Sequence, residues 1–412
     1  MKILLAPDND RQDIISLIGG VMNQVILKAG KEKRLKAGHL WIYQGEIGII
    51  GIGVKSGDVV EVLDNRGRFL GLGYYNQAST IAVRLLTNQR EPIEADFFRK
   101  RLKDALVYRQ RVKPNASCYR LIYGEGDLLP GLIVDRFEDY LVVQFLTMGM
   151  EVNRDLIIAL LVELCQPKGI IERSDTSTRH LEELPERSGC IYGTCPESIV
   201  IVDNDLKFHV NLLEGQKTGY FLDQSANRGV LAKYARGRRS LDCFCHIGSF
   251  AVHAGAYGAS SVLGVDISED AIGQAEANAV LNGVGDRCRF KVANAFDFLR
   301  DQVGKKEVYD LVVLDPPAFT KSKQALEGAI RSYKEINLRG LKLLRPGGIL
   351  VTCSCSYHLS PDLFWEIIAA AAADNKQRIR LLERRSQGLD HPVLVGVPET
   401  EYLKCFVFEV VQ

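Results

Sequence analysis

The sequence lacks long apolar runs, a marked net charge and regular cysteine spacings, and each absence excludes a class of protein. No apolar run approaches the roughly 20 residues that a membrane-spanning helix needs, so we expect a soluble protein with no membrane partner. The 52 lysines and arginines nearly cancel the 51 aspartates and glutamates, leaving a net charge of +1 at pH 7. Any contact with nucleic acid must therefore depend on a local basic surface.

Ten cysteines are present, but they form no C-x-x-C pair. The two C-x-C pairs, Cys243 with Cys245 and Cys353 with Cys355, lie in strand-like apolar segments, and usual ligand spacings disfavour zinc there. We predict reduced thiols in a cytoplasmic protein and no metal site. The N-terminus lacks the basic-then-apolar layout of a secretory signal.

The length of 412 residues predicts two or three domains. Residues 1–22 are predicted to be an N-terminal extension, and two interpretations stay open: either Met22 is the start of the native protein, or the preceding residues form a loosely attached extension of it. Residues 23–100 carry short strands punctuated by glycines and a hairpin turn at 64–67, which predicts a small β-barrel. Residues 101–205 favour an α+β middle domain. Residues 206–412 alternate strand and helix, which predicts an α/β, doubly wound sheet closed by antiparallel edge strands near 378–385 and 405–411.

In such a sheet the ligand binds beyond the carboxyl ends of the strands. Gly248 follows the first strand, and Asp266, at the end of the second, could grip both hydroxyls of a ribose. A plain turn glycine and a helix-capping aspartate are the alternative, and the two interpretations carry about equal weight. The missing G-x-G-x-x-G triplet disfavours a dinucleotide and a nicotinamide oxidoreductase, so S-adenosylmethionine is the expected cofactor. Asn294 and Ala295 would then lie at its adenine.

The fourth and fifth strands end in further candidate residues. Asp315 precedes two prolines, which make a rigid turn and aim the carboxylate into the crevice. Cys353 and Cys355 follow on the fifth strand, where either could be a nucleophile or a small core residue. Both cysteines share one strand face, so the pattern alone does not separate them.

Several motifs in fixed order resemble one family. They are residues 215–224 (GQKTGYFLDQ), 242–244 (DCF), 314–319 (LDPPAF) and 352–356 (TCSCS), with Arg34 and 39–43 (HLWIY) near the start. Together they resemble the bacterial large-subunit (23S) ribosomal RNA cytosine-5 methyltransferases, from about Met22 to Val411. The resemblance implies an RNA-binding PUA barrel, the middle domain and a Rossmann-like class I methyltransferase domain.

The resemblance also implies roles for single residues. Cys355 matches the nucleophile that adds to carbon-6 of cytosine, with Asp315 holding and protonating the base. Ala318 stands where other RNA cytosine methyltransferases have a second cysteine, so a two-cysteine release is not supported. The implied S-adenosylmethionine-binding residues are Gln224, Arg228, Asp242, Phe244, Gly248, Asp266, Asn294, Ala295 and Asp315.

The implied partner is 23S rRNA or a large-subunit assembly intermediate. A cationic cluster at the start of the barrel is predicted to contact its phosphates: Lys28, Lys31, Lys33, Arg34, Lys36 and His39. Two alternatives stay open, a methyltransferase acting on a guanine nitrogen and a non-catalytic RNA-binding assembly protein. The sequence leaves open a homodimer, the methylated nucleotide and the base that removes the carbon-5 proton.

Overall fold

The computed structural model describes residues 23–213, 215, 218–320 and 323–411, so the expected extension over residues 1–22 lies outside the described residues. The chain divides into two compact units. Residues 392–400 belong to the first unit together with the barrel and the middle sheet, whereas residues 115–119 belong to the second. This division differs from the predicted boundaries at 100 and 206. No helix in the described part of the chain is long and apolar enough to cross a membrane.

The first unit begins with a six-stranded sheet in the order β2-β6-β5-β4-β1-β3. Its elements are β1 (Gln24–Leu27), α1 (Lys33–Lys36), β2 (Trp41–Tyr43), β3 (Ile47–Ile50), β4 (Val59–Leu63), β5 (Phe69–Tyr75) and β6 (Ile81–Thr87). Alternate side chains such as Val25, Leu27, Val60 and Val62 form its core because successive strand residues point to opposite faces. The hairpin turn predicted at 64–67 is confirmed between β4 and β5.

A long helix leads from this sheet into a second, five-stranded sheet in the order β11-β10-β9-β8-β7. The elements are α2 (Ala95–Val112), β7 (Cys118–Tyr123), β8 (Leu132–Phe137), β9 (Tyr140–Phe145), α3 (Met148–Val152), α4 (Arg154–Cys165), β10 (Gly169–Arg173) and β11 (Ser188–Gly193). Glu182 joins the two sheets, since its carboxylate accepts hydrogen bonds from Asn76 (2.8 Å) and ion-pairs with Arg84 (2.8 Å). The barrel and the middle sheet therefore form one unit.

The prediction of ten reduced thiols is wrong for two of them. Cys190 and Cys195 form a disulfide, with their Cα atoms 5.7 Å apart. The chain turns back after β11, which brings two cysteines five positions apart within the range that a disulfide bridges. The other eight cysteines are free thiols.

The second unit contains a hairpin and a seven-stranded sheet in the order β16-β15-β14-β17-β18-β20-β19. Its strands are β12 (Ser198–Asp203), β13 (Leu206–Asn211), β14 (Arg239–Cys243), β15 (Ser261–Asp266), β16 (Cys288–Val292), β17 (Tyr309–Leu314), β18 (Leu344–Ser354), β19 (Ile379–Arg385) and β20 (Lys404–Val410). Its helices are α5 (Ser225–Gly229), α6 (Ser249–Ala256), α7 (Glu269–Leu281), α8 (Ala295–Gly304), α9 (Leu326–Lys342) and α10 (Pro361–Asp374).

The predicted doubly wound sheet is confirmed, with one correction at its edge. Strands β14 to β18 pair in parallel, and β18, β20 and β19 pair antiparallel. Of the two strands predicted at the edge, β19 lies there, whereas β20 lies between β18 and β19, which accounts for the buried run from Cys405 to Phe408. Because parallel strands end at the same edge of a sheet, the residues that follow β14 to β18 meet there.

Candidate cofactor and catalytic site

The loop after β14 adopts an unusual backbone conformation. Phe244 and His246 have φ angles of 65° and 49°, in the left-handed region that side chains rarely adopt, and Gly248 follows at 77°. A Cβ at Gly248 would lie 2.8 Å from the Cβ of Ala275, so glycine is needed both for its φ angle and for packing. Strain of this kind persists where surrounding structure enforces it, as it commonly does at ligand-binding sites.

Asp266 enforces the conformation of that loop. Its carboxylate accepts hydrogen bonds from the backbone N–H of His246 (2.8 Å) and of Ser268 (3.1 Å). The cap of α7 is Ser268, whose hydroxyl accepts from the N–H of Ala271. The helix-capping interpretation of Asp266 is therefore wrong, because the neighbouring serine fills that place. The half-buried carboxylate stays at the strand end, where ribose binding was predicted.

Asp242 supplies a buried acceptor beside this loop. One of its oxygens, Oδ2, accepts from the N–H of Ala251 (2.9 Å), whereas Oδ1 is buried with no hydrogen-bond partner among the described residues. Burial raises the pKa of Asp242 well above its ordinary value, and the charges of Asp315 and Asp266 raise it further. Three carboxylates thus converge at one edge of the sheet, and such a site favours a cationic, hydrogen-bond-donating ligand.

A chain of amide side chains orients Asp315. Gln224 donates from Nε2 to Oδ1 of Asp315 (2.9 Å), and Asn227 donates to Oε1 of Gln224 (2.6 Å). Each amide fixes the orientation of the next group, so the Asp315 carboxylate is held in place before any ligand binds. Gln224, which was predicted to contact the cofactor, thus lies directly against the predicted catalytic carboxylate.

Arg228 has a different position from the one predicted. Its guanidinium is buried, forms an ion pair with Asp203 (2.7 Å) and donates to the carbonyl of Phe221 (3.0 Å). Burial raises the pKa of Asp203, but Arg228 and His253 outweigh burial and lower it to about 2. We therefore assign Arg228 to anchoring the segment that carries Gln224, instead of to cofactor contact.

The predicted adenine site contains a helix cap and an aromatic cluster. The Oδ1 atom of Asn294 accepts from the N–H of Phe296 (3.0 Å) and caps α8, and Ala295 is buried behind it. Phe244, Phe296 and Phe319 pack within 5.7–6.3 Å of one another, measured between ring centroids. No role was predicted for the rings of Phe296 and Phe319, although Phe296 directly follows Ala295 and Phe319 ends the motif at 314–319. The cluster provides an apolar surface beside the cap.

The two candidate nucleophiles differ in depth. Cys353 is fully buried on β18, opposite Cys405 on β20, and burial raises its thiol pKa well above the ordinary value. Cys355 lies just beyond the end of β18 and is half-buried. A thiolate forms more readily in a polar, partly exposed setting, so the surroundings of Cys355 suit a nucleophile better.

A buried lysine lies beside Cys355 and was not found from the sequence. Lys404 is 3% exposed, and its Nζ donates to the carbonyls of Ser356 (2.7 Å) and Tyr402 (2.7 Å). No carboxylate of the described residues forms an ion pair with it. Burial lowers the pKa of Lys404 to about 8, and the charge of Cys355 partly opposes that shift.

The cations predicted to contact RNA are only partly exposed. Arg34 ion-pairs with Glu46 (3.0 Å) and lies 4.7 Å above the ring of Tyr43. His39 is buried, with Nε2 3.1 Å from the carboxylate of Glu399, so it does not belong to an exposed cationic surface. The remaining four are exposed: Lys28, Lys31, Lys33 and Lys36.

Comparison with known proteins agrees with this geometry. Residues 119–402 match the family model described as S-adenosylmethionine-dependent methyltransferase, and residues 25–88 match that of a PUA-like domain. Two curated relatives are named Ribosomal RNA large subunit methyltransferase I. That of Tolumonas auensis is 41% identical over 389 residues, and that of Photobacterium profundum is 39% identical over 389 residues. Each alignment covers 93% of this chain and 98% of the relative.

Solved structures share the fold. The methyltransferase SMU.776, solved in complex with SAH, superposes with a TM-score of 0.83 at 23% identity, over 94% of this chain and all of that one. A SAM-dependent methyltransferase from Streptococcus mutans gives a TM-score of 0.81 at 23% identity, with the same coverage. The predicted fold class, a PUA-like domain followed by a Rossmann-like methyltransferase domain, is confirmed.

S-adenosylmethionine, the predicted cofactor, is also confirmed, and the residues of this site fit it. The partnerless Oδ1 of Asp242 can accept a hydrogen bond from a cationic ligand, and Asp266 lies at the strand end where a ribose would bind. When bound, the cofactor supplies an electrophilic methyl group. By the match over residues 119–402 and by its curated relatives, the chain belongs to the S-adenosylmethionine-dependent methyltransferase family.

Proposed function

We propose that the protein methylates carbon-5 of a cytosine in 23S ribosomal RNA through a covalent adduct with Cys355. The observation that carries this proposal is the position of Cys355. Its half-buried thiol lies at the carboxyl end of β18, beside buried Lys404. The neighbouring strand is β17, which Asp315 directly follows. A transfer to a nitrogen, which already has a nucleophilic lone pair, would need no thiol at this place.

An RNA substrate is supported by the relatives and by the barrel. The relatives aligned over 93% of this chain are named for the large-subunit ribosomal RNA, and a PUA-like domain precedes the methyltransferase domain. Either 23S rRNA or a large-subunit assembly intermediate containing it would present such a base. We infer that the exposed lysines near α1 contact phosphates of this RNA.

The chemistry needs a thiolate because carbon-5 of cytosine is a poor nucleophile. Attack of the Cys355 thiolate forms a bond from sulfur to carbon-6, while Asp315 donates a proton at the ring nitrogen, which makes carbon-5 enamine-like. Carbon-5 would then form its bond to the methyl group that the cofactor supplies, while the bond from that methyl to the sulfonium sulfur would break and leave a neutral thioether. Loss of the carbon-5 proton to a base expels the thiolate, and return of the proton from the ring nitrogen to Asp315 restores the aromatic ring and the enzyme.

Lys404 supplies the positive charge that this thiolate needs. Its pKa of about 8 lies above neutral pH, so its amine is protonated at pH 7. It donates to carbonyls and forms no ion pair with a carboxylate of the described residues, although the charge of Glu401 acts with that of Cys355 to raise its pKa. A nearby cation lowers the free energy of a thiolate relative to the thiol.

Trapping with 5-fluorocytosine tests the proposal. Fluorine at carbon-5 of the target blocks elimination, so the wild-type protein and Cys353→Ala should both form a denaturant-resistant complex with such RNA, whereas Cys355→Ala should not. Mass spectrometry of the trapped peptide identifies the linked cysteine. Linkage through Cys353, or no adduct with RNA that the enzyme does methylate, contradicts the proposed mechanism.

The target is found by mapping modified bases in ribosomal RNA from a strain that lacks the gene. We expect one 5-methylcytosine to disappear from 23S rRNA and to return with the purified enzyme and S-adenosylmethionine. The return of a methylated guanine instead would favour the alternative, transfer to a guanine nitrogen.

A further inference from the structure

An open groove of about 630 Å³ lies in the second unit, away from the site described above. It is lined by residues from the amino-terminal ends of four neighbouring strands, β16, β15, β14 and β17. These strands run parallel, so all their amino ends lie on one side of the sheet and all their carboxyl ends lie on the opposite side. The groove is therefore distinct from the cofactor site.

Arginines dominate the charge around this groove. Three carboxylates are present, and each has an arginine partner. Glu307 pairs with Arg239 (2.7 Å), Asp286 lies 3.7 Å from Arg287, and Asp310 pairs with Arg345. The carboxylates are thus already matched within the protein.

Three further arginines have no carboxylate partner in the described ranges. Arg289 lines the groove, and its exposed guanidinium makes no hydrogen bond with the residues that the structure describes. Arg236 is also exposed, and its side chain lies against Gly258 in the groove wall. Arg238 donates only to backbone carbonyls, those of Asp310 (3.1 Å) and Gly347 (2.9 Å). The groove and its rim therefore carry an excess of about three positive charges.

A second observation points to a ligand that accepts and donates hydrogen bonds. Ser240, 2% exposed, lines the groove, and its hydroxyl is buried with no partner among the residues described. Buried hydroxyls are normally hydrogen-bonded, so an unpaired one in a groove wall is unusual. Two other serines, Ser260 and Ser261, also line the groove.

The extent of the groove distinguishes a polyanion from a single anion. It crosses four strands, which are spaced at about 4.8 Å, and so extends over roughly 14 Å. A single phosphate would occupy one part of this length, whereas the backbone of a nucleic acid follows it with successive phosphates. Arginine is well suited to phosphate because its planar guanidinium donates two parallel hydrogen bonds.

We propose that this arginine groove, lined by Arg239, Arg287 and Arg289 and flanked by Arg236 and Arg238, binds the phosphodiester backbone of the RNA substrate as a second contact surface, remote from the cofactor. The proposal rests on the proposed function in that the polyanion is taken to be the substrate RNA. It assigns the excess positive charge of the groove to binding, and it adds to the contacts expected at the exposed lysines near α1.

The test compares two double variants that remove equal charge. Arg236→Ala with Arg289→Ala changes the groove, and Arg300→Ala with Lys305→Ala is the control, since these two exposed cations lie outside the groove, in α8 and directly after it. Binding of a 23S rRNA fragment is measured against salt concentration. The slope of log affinity against log salt should fall in magnitude by about 1.4–1.8 for the groove variant, at roughly 0.7–0.9 per lost phosphate contact. The control should keep the wild-type slope.

S-adenosylmethionine binding by calorimetry should be the same in all three proteins, because the groove lies at the opposite edge of the sheet. If the groove double variant loses cofactor binding, the single variants Arg236→Gln and Arg289→Gln provide the same comparison, with about half the change in slope.

An unchanged slope in the groove variant, or an equal fall in both variants, overturns the groove proposal. A change in self-association with an unchanged slope would also overturn it, by assigning the groove to a protein partner. A wild-type protein that binds no ribosomal RNA at all would instead refute the proposed function, so the two failures are distinguishable.

Discussion

Replacing Asp242 with asparagine should weaken S-adenosylmethionine binding and yet stabilise the cofactor-free protein. One carboxylate oxygen accepts from the N–H of Ala251, and the other is buried without a partner in the described part of the chain. Asparagine can keep its oxygen toward Ala251 only by turning its NH₂ group toward the position of the free oxygen. A donor then replaces an acceptor on the side where we expect the cofactor.

The expected loss of cofactor affinity is that of one hydrogen bond to a charged group. Such a bond contributes about 1.5–3 kcal/mol, which corresponds to a loss of affinity of roughly 10- to 150-fold. The expected loss lies toward the upper end, because the oxygen is buried and no water competes for it.

The effect on the stability of the cofactor-free protein is favourable, in contrast to the effect on affinity. Burial raises the pKa of Asp242 in the folded protein, so the folded state binds a proton more tightly than the unfolded state. Stability from this group is therefore present at low pH and is lost as the pH rises above the unfolded pKa. At neutral pH the free energy of unfolding is reduced, because the folded state must either bury the carboxylate charge or bind a proton that the unfolded state does not hold, and a neutral asparagine removes that penalty.

Calorimetry gives the affinity, and thermal denaturation without cofactor gives the change in Tm. Asp104→Asn, which changes an exposed carboxylate within α2 in the first unit, is the matched control and should change neither quantity. Wild-type affinity in Asp242→Asn, or a lower Tm in its cofactor-free form, would refute this reasoning about the free oxygen.

Two further predictions concern the catalytic side of the sheet. In Lys404→Met, alkylation of Cys355 by iodoacetamide should move to higher pH, as peptide mass spectrometry measures. Lys404→Arg keeps the charge and should restore the wild-type pH profile. An unchanged profile in Lys404→Met would exclude a role for the charge of Lys404. Arg228→Met should lower the free energy of unfolding by about 3–5 kcal/mol, because it leaves the carboxylate of Asp203 buried without its partner. In the wild type the pKa of Asp203 is lowered to about 2, so the stability that the pair contributes is present above the ordinary pKa of an aspartate and is lost as the pH falls toward 2. The difference between the two proteins should therefore be largest at neutral pH and shrink as the pH falls, and denaturation curves over that range check the sign.

Local patterns predicted the elements of the second unit well. Strands such as β14, β17 and β18 are apolar over nearly their whole length because parallel strands are buried on both faces. That property is visible in the sequence and predicts the sheet. The strand ends then locate Asp242, Asp266 and Asp315, because all parallel strands end at one edge.

The same patterns did not reveal which side chains would meet across long stretches of chain. Lys404 donates to the carbonyl of Ser356 although 48 positions separate them, because β20 inserts between β18 and the edge strand. The disulfide of Cys190 and Cys195 depends on a chain reversal after β11. Nothing in the local sequence indicates either event.

The sequence by itself determined the order of the elements and the acidic residues at the strand ends, since these depend on periodicity and on the rules of parallel sheets. Only the tertiary structure showed that the two cysteines have different surroundings. The sequence pattern predicted one shared strand face, but Cys353 packs opposite Cys405 inside the sheet, while Cys355 lies past the strand end beside Lys404. Depth within a sheet is set by the partners that fold against it, and those partners come from distant parts of the chain.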